Sequence, residues 1–152
     1  MQAIHSFNDL SAHLRLQERR YRLAIVCGTD DSTLQAVVRA VNDGFAEAYF
    51  VGHTLEVKQK LSVTKISDTD EAAAQEAVMM VGRGEADVLV KGLIHTDTLL
   101  RAVLNKEWGI LPRGRVLTHI AVAEMKNYHK LLFFSDAAVI PYPTHEQRLQ
   151  QV

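Results

Sequence analysis

The feature that most constrains the fold is a recurring order of short apolar run, glycine, capping residues and amphipathic helix. Residues 23–27 are continuously apolar, Gly28 stops them, and residues 29–32 are rich in helix-capping side chains. Apolar residues at 34, 37, 38 and 41 then repeat at helical spacing. A continuous apolar run is typical of a strand covered on both faces, and this spacing is typical of a helix. The order therefore predicts a strand followed by a helix.

The same order returns further along the chain. A helix from about Ser6, capped by that serine, comes before the first strand and ends in the charged run 18–20. Because each crossover between parallel strands carries its own helix, this alternation favours a parallel sheet with helices on both faces. Further strands are predicted at 48–51, more weakly at 63–67, and at 87–91; further helices at 54–61, from Asp68 or Thr69 to Met80 with a stop at Gly82, and from Thr98 to about Lys106.

The pattern changes after Gly109. Residues 116–125 alternate like a strand, 126–129 resemble a turn, and 131–134 are apolar, which predicts an antiparallel hairpin. Thr144 with Gln147 three residues later predicts a capping box that starts a last helix. We therefore expect one α/β domain over residues 1–152, a three-layer α/β/α structure with a mostly parallel sheet plus the hairpin.

Composition limits the classes of partner. The chain has 152 residues, 47% hydrophobic and 23% charged, with a formal net charge of -1. No overall basic field would attract nucleic acid or an anionic membrane, and no apolar run reaches the roughly 18 residues of a membrane span. The single cysteine, Cys27, cannot form an internal disulfide, and no apolar segment of signal-peptide length opens the chain. We expect a cytoplasmic protein.

The stretch KGLIHTDTLL, residues 91–100, follows the predicted strand at 87–91. Ligands of open α/β sheets collect beyond the carboxyl ends of the strands, where helix N-termini attract anions. Gly92 lets the backbone turn close to a ligand, Thr96 or Thr98 can cap the helix, and Arg101 has a guanidinium suited to phosphate. The stretch is compatible with a phosphate or acyl-phosphate site. It is also compatible with a plain helix cap and a solvated arginine.

Other familiar sites are poorly supported. The chain has no GxxxxGK[ST] loop, and its GxG at 82–84 precedes a strand, so we rank a nucleotide-binding Rossmann protein last. Cys27 fits a small core residue better than a nucleophile. The seven histidines lack HxxxH or HExxH spacing, so no metal site is expected. The turn Arg113-Gly114-Arg115 could contact an anion or be a solvated basic turn.

Three long segments carry a family resemblance: ADVLVKGLIHTDTLLRAVLNKEWGI, GRVLTHIAVAEM and LLFFSDAAVIPYPTHEQ. Over about residues 21–147 the chain resembles the phosphate acetyltransferase and phosphate butyryltransferase family, and its sequence is more similar to the butyryl branch. The resemblance implies an acyltransferase for the reaction acyl-CoA + phosphate = acyl phosphate + CoA. Butyryl or another short acyl group is favoured, and acetyl is possible. Coenzyme A and phosphate are substrates, and no bound metal or prosthetic group is implied.

The resemblance also implies an architecture like that of isocitrate dehydrogenase, with two α/β domains, an active-site cleft between them and a homodimer in the full-length protein. Residues 1–152 would be the N-terminal domain, and the family's catalytic serine, aspartate and arginine would lie in the absent second half. Arg101 is the first candidate for a phosphate or acyl-phosphate contact. For Asp136 both a substrate contact and a loop-ordering role stay open. The implied substrate-binding residues are Lys91, Gly92, His95, Thr96, Thr98 and Arg101, then Arg115 and Thr118, and Asp136.

A second hypothesis keeps the fold without turnover. In it the chain is a catalytically inactive, stand-alone binding or assembly module. An isolated domain of this kind would expose apolar surface and could dimerise through it. Sedimentation tests this, because a clean monomer at high concentration would argue against a large exposed apolar patch.

Overall fold

The computed structural model describes residues 4–52, 63–136, 139–140 and 142–151. The predicted helix at 54–61 lies outside the described residues. The chain divides into two compact units, a larger one over Gln17–Ile110 and a smaller one that joins Met1–Leu16 with Leu111–Val152. The helices are α1 (Phe7–Arg15), α2 (Asp31–Asn42), α3 (Asp70–Gly82), α4 (Thr96–Val103) and α5 (His145–Gln151), and the strands are β1 (Tyr21–Val26), β2 (Ala46–Gly52), β3 (Val63–Ile66), β4 (Val88–Lys91), β5 (Ile120–Ala123) and β6 (Leu132–Ser135).

The larger unit is built on a parallel four-stranded sheet in the order β3-β2-β1-β4. The central strand β1 pairs with β2 from Tyr21↔Ala46 to Val26↔Val51 and with β4 from Leu23↔Val88 to Val26↔Lys91. Its continuous apolar sequence is explained by burial on both faces. The predicted parallel sheet is confirmed.

Alternate side chains of β1 enter two separate cores. Ala24 and Val26 are fully buried in the core that contains the alanines of α3, while Ile25 packs with Val37 of α2 and Phe50 of β2. Successive side chains of a strand point to opposite faces, so the sheet carries helices on both sides. The three-layer α/β/α arrangement is confirmed for this unit.

The strand order places a topological switch point between β1 and β4. From β1 the chain passes through α2 to β2 on one side, and from β3 it passes through α3 to β4 on the other side of β1. In open α/β sheets the crevice at the carboxyl ends of such a strand pair is the usual ligand position. The KGLIHTDTLL stretch begins at this edge.

The smaller unit contains the predicted hairpin. Strands β5 and β6 pair antiparallel from Ile120↔Ser135 to Ala123↔Leu132. Strand β5 is shorter than the strand predicted at 116–125, and its last ladder pair is Ile120↔Ser135, after which Asp136 adopts φ +56°. The Ser6 cap of α1 is confirmed and forms a capping box with Asp9, although α1 ends at Arg15 rather than in the charged run.

The predicted capping box of the last helix is also confirmed. Thr144 N–H donates to Gln147 Oε1 (2.8 Å) and Gln147 N–H donates to Thr144 Oγ1 (3.2 Å). These reciprocal bonds satisfy two backbone donors at the start of α5.

Candidate functional site

The ends of β1 and β4 come into close contact at the switch point. Gly92 N–H donates to Val26 O (2.9 Å) and Leu93 N–H donates to Cys27 O (2.8 Å), so pairing continues past the strand ends. A Cβ on Gly92 would lie 2.5 Å from Cys27 O and 2.5 Å from the Cα of Gly28. Only glycine permits this approach. The backbone of Gly92 therefore lies close to the turn after β1, whereas the sequence suggested a close approach to a ligand.

Cys27 ends this pairing as a core residue, as predicted. Its side chain is buried, its φ is +50°, and its Sγ donates to Asp70 Oδ1 at 3.4 Å. Burial, with the Asp70 hydrogen bond second, raises the pKa of the Cys27 thiol to about 12. A thiol with that pKa stays protonated at neutral pH, and the thiolate is the nucleophilic form. Cys27 is therefore unsuited to nucleophilic catalysis in this state.

Helix α4 begins earlier than the sequence suggested. Its N-cap is His95, with φ −61° and ψ 132°, and the His95 side chain makes no capping hydrogen bond. The prediction that Thr96 or Thr98 caps the helix is wrong, because both threonines already lie inside its first turn. Without a side-chain cap from His95, N–H groups of the first turn are available to an anion.

Arg101 lies one turn into α4 at the surface. Its guanidinium pairs with Asp97 Oδ2 at 2.8 Å, four residues earlier on the same helix, and its side chain is 80% exposed. An exposed pair of this kind contributes little stability and is easily exchanged for another anion. Arg101 is thus accessible, with a carboxylate as its partner.

A groove of about 220 Å³ runs between α3 and α4. It brings together Thr98 and Arg101, while Lys91, His95 and Thr96 are not part of its lining. Asn105 Oδ1 accepts from the backbone N–H groups of Glu107 (2.9 Å) and Trp108 (3.2 Å), and this turn sets Trp108 at the groove. The lining is Glu71, Gln75, Thr98, Arg101, Ala102, Asn105 and Trp108.

Five of these lining residues were not predicted from the sequence: Glu71, Gln75, Ala102, Asn105 and Trp108. Asn105 could have been found, because it continues the helical spacing of Thr98 and Arg101 by one further turn. Glu71 and Gln75 could not, since their approach depends on the packing of α3 against α4. Trp108 gave no signal beyond being the single tryptophan.

Lys91 is exposed at the end of β4, and its Nζ donates to Gly92 O at 3.3 Å. Next to it, His95 and Thr96 are exposed at the start of α4. The six predicted residues from 91 to 101 therefore all lie at or just after the carboxyl end of β4.

The remaining predicted residues lie in the smaller unit. Arg115 is exposed, and its N–H donates to Pro112 O (3.1 Å), which closes a turn containing Gly114 at φ +75°. Thr118 is half-buried and directly precedes the segment that pairs with Asp136. Asp136 N–H donates to His119 O (2.7 Å), and Asp136 Oδ1 accepts from His119 N–H (3.1 Å).

The described residues contain neither a cluster suited to a metal ion nor a helix suited to span a membrane. Within those ranges no three or more His, Cys, Asp and Glu side chains are grouped so as to hold a metal ion. No helix in the same ranges is both long and apolar enough to cross a membrane.

Comparison with known proteins gives consistent matches. Residues 63–151 match the family model described as phosphate acetyl/butaryl transferase. The chain is 34% identical to the phosphate butyryltransferase of Clostridium acetobutylicum, over 98% of this chain and 52% of that protein. It is 28% identical to the phosphate acetyltransferase of Thermotoga maritima, over 86% of this chain and 47% of that protein.

Solved structures agree with these sequence matches. A branched-chain phosphotransacylase from Enterococcus faecalis superposes with a TM-score of 0.71 at 27% identity, over 86% of this chain and 48% of that one. A phosphotransacetylase from Streptococcus pyogenes, at 19% identity and a TM-score of 0.65, shares the fold. The chain spans about half the length of the curated relatives it matches. The family match and the identity across nearly the whole chain show that this chain belongs to the phosphate acetyl/butaryl transferase family.

Proposed function

We propose that the chain forms the phosphate-binding part of a phosphate acyltransferase, for the reaction acyl-CoA + phosphate = acyl phosphate + CoA. A phosphate oxygen attacks the acyl carbon, the carbon–sulfur bond breaks, and the sulfur leaves as the thiolate of CoA. Butyryl or another short acyl group is favoured over acetyl. The match to a phosphate butyryltransferase at 34% identity and the fold match to a branched-chain phosphotransacylase support this preference.

The observation that carries the proposal is the position of Thr98 and Arg101. Both line the groove between α3 and α4, and α4 itself begins just after the carboxyl end of β4 at the switch point. Backbone N–H groups of the first turn and the Arg101 guanidinium are donors suited to phosphate oxygens. Their task is to hold phosphate in place, because alignment of the two reactants lowers the barrier to acyl transfer.

The other predicted residues have supporting roles in the proposal. Lys91, Gly92, His95 and Thr96 are proposed to support binding from the carboxyl end of β4 and the start of α4, and Arg115, Thr118 and Asp136 are further candidates for substrate binding. The relatives are about twice as long, so we place the catalytic residues in the half that this chain does not span. The whole protein is proposed to be a cytoplasmic homodimer that uses coenzyme A and phosphate without a bound cofactor.

A chimera tests the function. Residues 1–152 replace the matching first half of the Clostridium acetobutylicum phosphate butyryltransferase, and CoA release from butyryl-CoA and acetyl-CoA is measured with and without phosphate. We expect phosphate-dependent release, faster with butyryl-CoA, with the unmodified clostridial enzyme as the positive control. A folded chimera whose CoA release does not respond to phosphate would contradict the proposal.

The role of Arg101 has its own test in the same chimera. Replacing Arg101 with Ala removes a charge-assisted contact and should lower kcat/KM for phosphate about 30-fold, or about 2 kcal/mol. Arg39→Ala is the matched control, because Arg39 is an exposed arginine on α2, on the opposite face of the sheet. Equal phosphate kinetics in the two variants would refute the role of Arg101.

The second hypothesis, an inactive binding or assembly module, is not favoured. The curated relatives are named as phosphate butyryltransferases and phosphate acetyltransferases. In the chimera this hypothesis predicts normal folding without turnover.

A further inference from the structure

Asp136 stands out in the smaller unit. It is the one buried charged residue in the described ranges, with 6% of its surface exposed, and its backbone has φ +56°. A left-handed conformation is uncommon for a residue with a side chain and persists where the surroundings hold it. Burial and backbone conformation together indicate that a specific interaction fixes this aspartate.

That interaction is a closed pair of hydrogen bonds with one residue. Asp136 N–H donates to His119 O (2.7 Å), and Asp136 Oδ1 accepts from His119 N–H (3.1 Å). The last ladder pair of the hairpin is Ile120↔Ser135, and in the next pair the Asp136 side chain takes the place of its backbone carbonyl as the acceptor for His119 N–H. Asp136 thereby bonds both backbone polar groups of His119.

Two buried polar atoms of this Asp136–His119 pair lack hydrogen-bond partners among the described residues. Asp136 Oδ2 and His119 Nδ1 are both buried, and neither has a hydrogen-bond partner within the described part of the chain. A buried polar atom without a partner costs stability. Asp136 Oδ1 offsets part of this cost by accepting from His119 N–H, and this bond fixes the position of His119.

The segment that Asp136 holds leads back to a cationic turn. Arg113 and Arg115 are exposed on either side of Gly114, and no carboxylate in the described ranges pairs with either guanidinium. Thr118 lies between this turn and the fixed residue His119. Two guanidinium groups without a carboxylate partner among the described residues, followed three residues later by the Thr118 hydroxyl, suit an anion such as phosphate.

We propose that Asp136 is a positioning residue which, through His119, fixes residues 113–118 as a second anion contact of the acyltransferase. The inference rests on the proposed function. Asp136 itself does not contact the anion, because a carboxylate repels phosphate. Of the two roles that the sequence left open for Asp136, substrate contact and loop ordering, we therefore favour loop ordering.

Two variants separate positioning from plain stability. Asp136→Asn keeps an oxygen that can accept from His119 N–H, whereas Asp136→Gly removes it and leaves a residue that adopts φ +56° freely. Amide hydrogen exchange of the 152-residue chain should show lost protection at His119 in Asp136→Gly and normal protection in Asp136→Asn. Unchanged protection at His119 in Asp136→Gly would overturn the positioning role, whatever the activity of the chain.

The link to the reaction is tested by kinetics in the chimera. Asp136→Gly should raise KM for phosphate about tenfold while KM for butyryl-CoA stays within about twofold, and Asp136→Asn should restore the phosphate value. A phosphate KM that Asp136→Gly leaves unchanged, in a chimera that retains phosphate-dependent turnover, would overturn the inference and leave the proposed function standing. Loss of turnover already with the unmodified 1–152 sequence would instead count against the proposed function.

Discussion

At the residue scale, Gly92 is the least replaceable position of the switch point. An added Cβ would meet Cys27 O and the Cα of Gly28 at 2.5 Å, and these backbone atoms cannot rotate away. We expect Gly92→Ala to lower the free energy of unfolding by about 3 kcal/mol. Urea denaturation measures this loss.

Gly84 provides the matched control for that substitution. It has φ +71°, and an added Cβ would meet nothing within 4 Å. Gly84→Ala should therefore cost only the backbone strain, about 1 kcal/mol. Equal losses in the two variants would show that the contact between the two strand ends is not close.

Asp87 links the start of β4 to β1 by charge. Its carboxylate accepts from Arg22 N–H (2.9 Å), Nε (3.1 Å) and Nη2 (3.1 Å), and it pairs with Arg19 at 3.3 Å. The hydrogen bonds from the Arg22 side chain and backbone, in that order, hold the pKa of Asp87 well below its ordinary value of 3.8. A carboxyl with a depressed folded-state pKa contributes stability above its unfolded pKa and loses it as pH falls.

The lowered pKa of Asp87 predicts how the stability of the protein depends on pH. Asp87→Asn should be less stable than the wild type at pH 7, and the difference should shrink as pH falls below the ordinary value of 3.8. Chemical denaturation of both proteins across acid pH measures the difference, with the exposed Asp68→Asn as control. A difference that stays constant down to the acid limit would contradict the assigned cause.

At the scale of elements, the threonines of α3 and α4 test the corrected helix starts. Thr69 caps α3 by accepting from Ala72 N–H at 3.2 Å, whereas Thr96 lies inside the first turn of α4. Thr69→Ala should cost about 1 kcal/mol of unfolding free energy, and Thr96→Ala should cost close to nothing. Thermal and urea unfolding compare the two variants. An equal loss of stability would indicate that Thr96 caps α4.

Element types followed from the sequence better than element boundaries. The strand and helix patterns of β1, α2 and α3 were clear because apolar spacing records which faces are buried. The start of α4 was misplaced because Thr96 and Thr98 both satisfy capping preferences, while the chain's path out of the switch point determines which residue takes the cap conformation. The positive φ values of Cys27 and Asp136 had no signal in the sequence, since neither residue is a glycine.

The candidate site was only partly predictable for the same reason. Arg101 and Thr98 follow from their place just after a strand and from the family resemblance. The groove depends on how α3 and α4 pack, which brings Glu71 beside residues far away in sequence. Pairing of Asp136 with His119 likewise depends on the register of the hairpin.

At the scale of the whole molecule, the hairpin carries unusual surface. Ile120 is 65% exposed and Phe133 is 64% exposed, and a two-stranded sheet is only marginally stable by itself. The relatives that the chain matches are about twice as long. The exposed apolar side chains of the hairpin, and the match to only about half of each relative, agree with the proposal that the catalytic centre needs both halves of the family's sequence.

An amide NMR titration of the 152-residue chain with inorganic phosphate tests most directly whether the first turns of α4 bind phosphate. We predict saturable shifts for the amides of residues 95–98, weakened in Arg101→Ala and retained in Arg39→Ala. Absence of saturable shifts at α4, or equal shifts in Arg101→Ala and the wild type, would contradict phosphate binding by α4 and Arg101.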